Sequence, residues 1–223
     1  MRLGLSQSAS LQRYLLVLAV LLLLTPALQA ANQRFFINHP DDFDMVTFES
    51  DAKLEFIEGE THDLHGWFDF DPHAPGQLTG KAWVDLRTLE TGIELRDEHM
   101  RERHLETDEC PFALIEINSV GGLPPDLLPD SSYVCEVGGE FTIHGVTKPL
   151  QAAAQVVAGP PGVDGRIETL DASVRFSIQL DDYEIPRPRA LFLKLAETIN
   201  VEVRFIASPE FDPVEWNEEP PLD

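Results

Sequence analysis

Regular alternation of apolar and polar residues constrains the fold of this chain more than any other feature. In residues 45–58 the even positions include Val46, Phe48 and Phe56, whereas most odd positions are polar or charged. A period of two places the two sets on opposite faces of a β-strand, so the pattern predicts a strand with one buried face. The pattern recurs and predicts about eight such strands: residues 45–58, 64–70, 78–86, 113–117, 133–143, 150–156, 170–178 and 199–205.

Half-buried antiparallel strands form either a two-sheet sandwich or a closed barrel, and closure removes the exposed sheet edges. We therefore predict an all-β, antiparallel, lipocalin-like barrel of about eight strands, a size that can hold one small ligand. Small residues recur on the inward register, and they have two explanations. They either leave room for a cavity or allow strands to approach closely. These small residues are Gly66, Gly80, Gly139, Ala82, Ala152, Ala154 and Ser50.

One segment, residues 94–107, has the spacing of an amphipathic helix. Leu95, Leu105 and either His99 or Met100 share one predicted face, and acidic and basic residues alternate elsewhere. We expect this short helix to cover or border one end of the barrel.

The first thirty residues have the composition of a secretory signal peptide. Arg2 and Arg13 come with no acidic residue, an apolar run spans residues 14–24, and small residues follow. The run is shorter than the roughly 20 residues that a membrane-spanning helix needs. We predict a signal peptide at 1–30, a barrel domain at 31–207, an acidic tail without fixed structure at 208–223, and a periplasmic or secreted protein with no stable membrane anchor.

The charge and motif content narrow the function. With 16 Lys and Arg against 39 Asp and Glu, the net charge is −23, which disfavours nucleic acid and anionic lipid headgroups as partners. The sequence contains no nucleophile elbow, zinc-protease motif or phosphate-binding loop. We therefore expect no enzymatic activity and no cofactor, and a monomer and a homodimer both fit the sequence.

Two cysteines invite a disulfide in an oxidising compartment. If residues 113–119 and 133–143 form a hairpin, Cys135 lies opposite Glu116, and Cys110 lies about 20 Å further along the strand. A disulfide requires Cα atoms within about 7 Å. We predict two free thiols.

Several histidines raise the alternative of a metal-binding protein or metal-dependent enzyme. His62, His65, His99, His104 and His144 are the candidates. However, His62 and His65 would point to opposite faces of a strand. His99 and His104 are five residues apart, whereas ligands on one helix face are three or four apart.

Three segments resemble the YceI-like family of secreted polyisoprenoid-binding proteins. They are residues 63–66 (DLHG), 96–100 (RDEHM) and 142–149 (TIHGVTKP), of which the last is the most specific, and the resemblance covers residues 35–207. Gly145 and Pro149 also fit a turn between strands. Arg96 and Asp97 also fit an ion pair that fixes the helix to the barrel.

The resemblance implies that an isoprenoid or another long-chain lipid is bound in an apolar tunnel. Candidate head-group contacts are Arg96, His99 and His144. A ligand-free interaction protein with a filled barrel is a further alternative. The candidate wall residues lie on the inward register: Phe48, Leu54, Phe56, Phe68, Phe70, Val84, Tyr133, Phe141 and Phe176.

Overall fold

The computed structural model describes residues 33–41, 43–163, 165–187 and 195–214. The predicted signal peptide and residues 215–223 of the predicted tail lie outside these ranges. The described residues form ten strands: β1 Gln33–Ile37, β2 Met45–Asp51, β3 Phe56–Thr61, β4 Leu64–Phe70, β5 Thr79–Asp85, β6 Phe112–Gly121, β7 Ser131–Ile143, β8 Val146–Ala158, β9 Leu170–Gln179 and β10 Thr198–Ser208. Helix α1, Glu94–His99, continues into a π-helical turn, Met100–His104. None of the described helices has the length and hydropathy of a membrane span.

Eight of these strands close into an antiparallel barrel in the order β1-β4-β5-β6-β7-β8-β9-β10. The ring closes where β1 pairs with β10, with Phe36 opposite Ser208 and Ile37 opposite Ala207. The predicted barrel of about eight strands, with one short helix near an end, is therefore confirmed.

The remaining strands, β2 and β3, form a hairpin that joins the same sheet at its other end. Strand β2 pairs with β10, with Asn200 opposite Glu49, and β3 bridges the connection between β5 and β6 through Glu60 and Glu90. Beside the end of β10 near Ser208, the single strand β1 completes the barrel wall. Beside the rest of β10, the two strands β2 and β3 occupy the corresponding part of the wall. Because barrel diameter grows with strand number, the half that contains β2 and β3 is wider.

The wider half ends in four connections, and we call this end the open end. These connections join β2 to β3, β5 to β6, β7 to β8 and β9 to β10. The last paired residues before them are Asp51–Phe56, Asp85–Phe112, Ile143–Val146 and Gln179–Thr198. The long connection between β5 and β6 contains α1, so the helix lies at the open end as predicted.

The prediction of one strand over residues 45–58 was wrong beyond Asp51. The backbone N–H of Ala52 donates to the carbonyl of Glu55 over 3.1 Å and closes a turn. After this turn, Ile57 lies opposite Ser50, so the odd-numbered residues of β3 face inward. Leu54 and Phe56 are consequently exposed and do not belong to the inner wall.

The closed half of the barrel, around β1, is filled by an aromatic cluster. The ring of Phe35 stacks on Phe68 at a centroid distance of 5.6 Å and meets Phe70 edge-on at 5.5 Å. Aliphatic side chains, among them those of Leu64 and Leu170, pack around these rings. The described side chains of this half therefore form a packed core.

The inward glycines serve close strand approach. A Cβ at Gly66 would lie 2.6 Å from the carbonyl oxygen of Lys81, and one at Gly80 would lie 2.6 Å from that of Trp67. Both contacts are with the backbone of a neighbouring strand, which cannot move aside as a side chain can. Of the two explanations for the small residues, close approach is therefore the one that fits these two glycines.

Both cysteines are free thiols, although the register used to predict this was wrong. Glu116 pairs with Glu140 and not with Cys135. Cys110 lies near the turn at Gly145, ten residues along β7 from Cys135, or about 33 Å at strand rise. Burial raises the pKa of both thiols, and the neighbouring Glu109 and Glu106 raise that of Cys110 further.

The described start of the predicted tail makes specific contacts. Ser208 is buried at the end of β10. The side-chain amide of Asn38 donates to the carbonyl of Asp212 over 3.0 Å, and the ring of Phe211 meets that of His39 edge-on. Residues 208–212, at the start of the predicted tail, thus contact one another and the residues after β1.

Candidate functional site

A cavity of about 500 Å³ occupies the open half of the barrel. Phe35, Phe68 and Phe70 of the aromatic cluster are not among the residues that line it. Its wall is mainly aliphatic and aromatic, and its strand-borne members include Val46, Phe48, Ile57, Leu64, Ala82, Val84, Ile115, Phe141, Phe176, Ile178, Ile199, Val201 and Val203. The cavity lies where the β2–β3 hairpin widens the barrel, and a pocket of this size and lining suits a small apolar ligand.

The mouth of the cavity carries its polar groups. Arg96 donates from Nε to Thr91 Oγ1 over 2.7 Å and from Nη2 to the Thr91 carbonyl over 3.0 Å. Its Nη1 lies 3.3 Å from Glu55 Oε1 in the β2–β3 turn. The Arg96 guanidinium therefore joins the start of α1 to the hairpin opposite while also lining the cavity.

Asp97, the next residue of the helix, contacts Thr91 as well. Its buried carboxylate accepts hydrogen bonds from the backbone N–H of Thr91, over 2.9 Å, and from the Thr91 hydroxyl. Both residues thus contact Thr91, in the connection before the helix, and the ion pair of Arg96 is formed with Glu55 and not with Asp97 as predicted.

The π-helical turn changes the expected relation between two histidines. The backbone N–H of Leu105 donates to the carbonyl of Met100, five residues earlier, over 2.9 Å. Within this wider turn, His99 and His104 both line the cavity. The Nδ1–H of His104 donates to the carbonyl of Pro186 over 2.7 Å. Both histidines thus face the cavity, although they are five residues apart.

His144 lies outside the cavity lining and has a structural role. His144 and Gly145 both have positive φ, 54° and 72°, which is the backbone of the two-residue turn that joins β7 to β8. The two ring nitrogens lie 3.0 Å from Glu106 Oε2 and 3.2 Å from the Tyr183 carbonyl. This side chain therefore ties three connections together at the open end. Gly145 is the turn residue expected, whereas Pro149 lies within β8.

The structure brings together about half of the predicted site residues. Those that line the cavity are Phe48, Val84, Arg96, His99, Phe141 and Phe176. Phe68, Phe70 and Tyr133 pack in or against the closed-half cluster. Their inward direction was correct, but a period of two gives the face of a strand and not the depth at which a residue lies.

Sequence reasoning missed the cavity residues that lie in connections. Met100, Ile185 and Leu195 line the pocket from the π-helical turn and from the segment after β9. Ile185 and Leu195 belong to no strand or helix pattern, so no periodic signal could have identified them, whereas the helical spacing of residues 94–107 had placed Met100 on the apolar helix face.

Within the residues that the structure describes, no three His, Cys, Asp or Glu side chains come together as metal ligands. The imidazoles of His62 and His65 have other neighbours. Nδ1 of His62 lies 3.1 Å from the Asp44 carbonyl, and Nε2 of His65 lies 2.8 Å from Asp63.

Solved structures with the same fold support this architecture. A polyisoprenoid binding domain from Saccharophagus degradans superposes with a TM-score of 0.61 at 16% identity, covering 78% of this chain and 97% of that domain. BcnA of Burkholderia cenocepacia gives a TM-score of 0.60 at 14% identity, covering 74% and 96%. At these identities the likeness concerns the fold alone.

Curated relatives match part of the chain. A UPF0312 protein of Pseudomonas fluorescens is 31% identical over 99 residues, which is 44% of this chain and 50% of that protein. Protein YceI of Escherichia coli is 26% identical over 132 residues, or 58% and 64%. The matches thus span between half and two thirds of these relatives. A family model described as YceI-like domain matches residues 42–207. That is most of the chain, and this protein belongs to the YceI-like family.

Proposed function

We propose that this protein binds a polyisoprenoid or a similar long-chain amphiphile in the cavity at its open end. The observation that carries the proposal is the cavity itself, about 500 Å³ with an apolar wall and its polar side chains at the mouth. Removing hydrocarbon from water provides about 25 cal/mol per Å² of buried apolar area, which drives uptake without a specific polar contact. The biological role is carriage, storage or protection of the lipid.

The comparison with known structures supports the class of ligand. The domain from Saccharophagus degradans is described as polyisoprenoid-binding, and it shares this fold. The predicted signal peptide supports an extracytoplasmic location, periplasmic or secreted. The role that we propose is binding and not catalysis.

The cavity gives the bound lipid an orientation. Its hydrocarbon faces Phe141 and Phe176, whose rings lie 5.4 Å apart at an angle of 63°. Its polar end lies at the mouth, beside Arg96 and His99. Because Arg96 already contacts Glu55 and Thr91, we expect a hydroxyl or carbonyl head group to suit this mouth better than a strongly anionic one.

Native mass spectrometry of protein purified without detergent, followed by organic extraction, tests the proposal. We expect a stoichiometric long-chain lipid on the wild type. Val84→Phe adds volume inside the cavity and should reduce lipid occupancy about tenfold, whereas Val134→Phe, on an exposed position of β7, should leave it unchanged.

Other results would favour the competing functions. A bare polypeptide mass that stays bare after incubation with prenols contradicts lipid binding and favours a filled, ligand-free interaction protein. A mass excess equal to a metal ion favours the histidine alternative. Circular dichroism shows whether each variant has folded.

A further inference from the structure

We propose that the open end of the barrel docks on the surface of a neutral lipid bilayer through an exposed apolar rim, which loads and unloads the cavity. The rim consists of Leu54, Phe56, Ile93 and Leu95. This inference rests on the proposed lipid-binding function and adds the partner from which the lipid comes.

The four rim side chains are among the most exposed large apolar residues of the described chain. Their exposed fractions are 68% for Leu54, 56% for Phe56, 52% for Ile93 and 61% for Leu95. Ile93 and Leu95 also line the cavity. A residue that both lines a cavity and faces solvent lies at its mouth, so exposed apolar surface continues directly into the apolar interior.

An ion pair holds the two parts of the rim together. Leu54 and Phe56 flank Glu55 in the β2–β3 turn, and Ile93 and Leu95 precede Arg96 at the start of α1. The pair of Arg96 Nη1 and Glu55 Oε1, at 3.3 Å, joins these two segments. The four apolar side chains are therefore presented together at one end of the barrel.

The size of the rim favours a bilayer over a second copy of the chain. Four partly exposed side chains provide a few hundred Å² of apolar surface, which is the scale of a functional patch on a monomer. A stable dimer buries roughly 800 Å² on each partner. Insertion of a few apolar side chains into the headgroup region needs no such area, since binding scales with the apolar area inserted.

The charge of the protein selects the type of bilayer. The chain has a net charge of −23, so an anionic membrane surface repels it. Around the mouth, the Arg96 side chain is paired with Glu55, and the other charges are mixed, with Glu94 and Glu98 on α1, Arg101 and Arg103 in the turn after it, and Lys53 in the β2–β3 turn. The rim therefore fits a zwitterionic surface, where apolar insertion acts without electrostatic opposition.

Lipid transfer to vesicles separates docking from binding. The full-length processed protein, stripped of lipid and loaded with a fluorescent prenol, is mixed with phosphatidylcholine vesicles, and transfer is followed by energy transfer to a vesicle-bound dye. Leu54→Ser combined with Phe56→Ser should leave equilibrium prenol binding unchanged, because neither side chain lines the cavity. The same variant should slow transfer about tenfold through the loss of two inserting side chains.

The matched control replaces two apolar residues that are equally exposed but far from the mouth. Leu128 and Val134 are 62% and 75% exposed and lie toward the closed end of the barrel. Leu128→Ser combined with Val134→Ser should transfer prenol as the wild type does. Adding anionic lipid to the vesicles should slow transfer by the wild type.

A second variant gains a signal and does not depend on loss of function. Leu54→Trp places an indole in the rim, and Trp favours the membrane interface. Its fluorescence should shift to shorter wavelength when phosphatidylcholine vesicles are added, whereas Leu128→Trp should show no shift.

The possible failures are distinguishable. If the wild type binds no prenol in solution, the proposed function fails and the docking inference fails with it. If the wild type binds prenol but the Leu54/Phe56 variant transfers it at the wild-type rate, only the docking inference is overturned. Conversion of a dimer to a monomer by that variant, with unchanged transfer, would identify the rim as a contact between copies and overturn the inference as well.

Discussion

At the residue scale, the absence of a side chain is as important to this barrel as any contact. Gly80 lies where a Cβ would meet the backbone of β4, 2.6 Å from the Trp67 carbonyl oxygen. Its small size was visible in the sequence, but two explanations fitted it equally. Only the distance to the next strand distinguishes them, because sequence gives the volume of a residue and not the space around it.

We predict that Gly80→Ala lowers the free energy of unfolding by about 1–3 kcal/mol, because the added methyl group forces β4 and β5 apart. Gly121→Ala is the control. No atom lies within 4 Å of a Cβ at Gly121, so its unfolding free energy should change by less than about 0.5 kcal/mol. Urea denaturation measures both, and equal values for the two variants would contradict the close-approach explanation.

At the scale of elements, a short helix is held by one residue before it. Helix α1 spans only Glu94–His99, too short to be stable in isolation. Thr91 receives contacts from Arg96 and Asp97, and Met100 and Leu105 pack against the core. The amphipathic spacing predicted the helix, but it did not indicate the π-helical turn that follows it.

We predict that Asp97→Ala detaches the start of α1, because the partly buried N–H of Thr91 loses its acceptor at a cost of about 1 kcal/mol. Amide hydrogen exchange should increase across residues 91–104. Glu98→Ala removes the same charge from an exposed position of the same helix and should leave exchange at Thr91 unchanged. Exchange in the Asp97 variant that matches the wild type would show that the core contacts alone hold the helix.

At the scale of the whole molecule, one half of the barrel is packed and the other is hollow. Phe35 is only 1% exposed and lies between two aromatic rings in the closed half. Phe176 faces the cavity in the open half and is only partly buried. The same residue type therefore has different energetic surroundings in the two halves.

We predict that Phe35→Ala lowers the free energy of unfolding by about 3–5 kcal/mol, because it opens a cavity in a close-packed cluster. Phe176→Ala in the lipid-free protein should cost no more than about half of that, since one side of its ring already lacks neighbours. The two variants are compared by thermal and urea unfolding. A larger loss for Phe176→Ala would mean that the open half is filled.

Sequence alone was enough to predict the class of the fold, the inward face of most strands, the place of the helix and the family. These properties depend on local periodicity and on short motifs, and both are patterns within short stretches of consecutive residues. It also identified Phe48, Val84, Phe141 and Phe176 as wall residues, because inward direction is a property of a single strand.

Tertiary contacts, in contrast, set the position of the cavity and the residues that surround it. The turn at residues 52–55 moved Leu54 and Phe56 from the predicted wall to the rim. The pairing of β1 and of the β2–β3 hairpin with different parts of β10 made one half narrow and the other wide. Depth along a barrel and strand pairing depend on contacts between distant residues, and such contacts leave no periodic trace in the sequence.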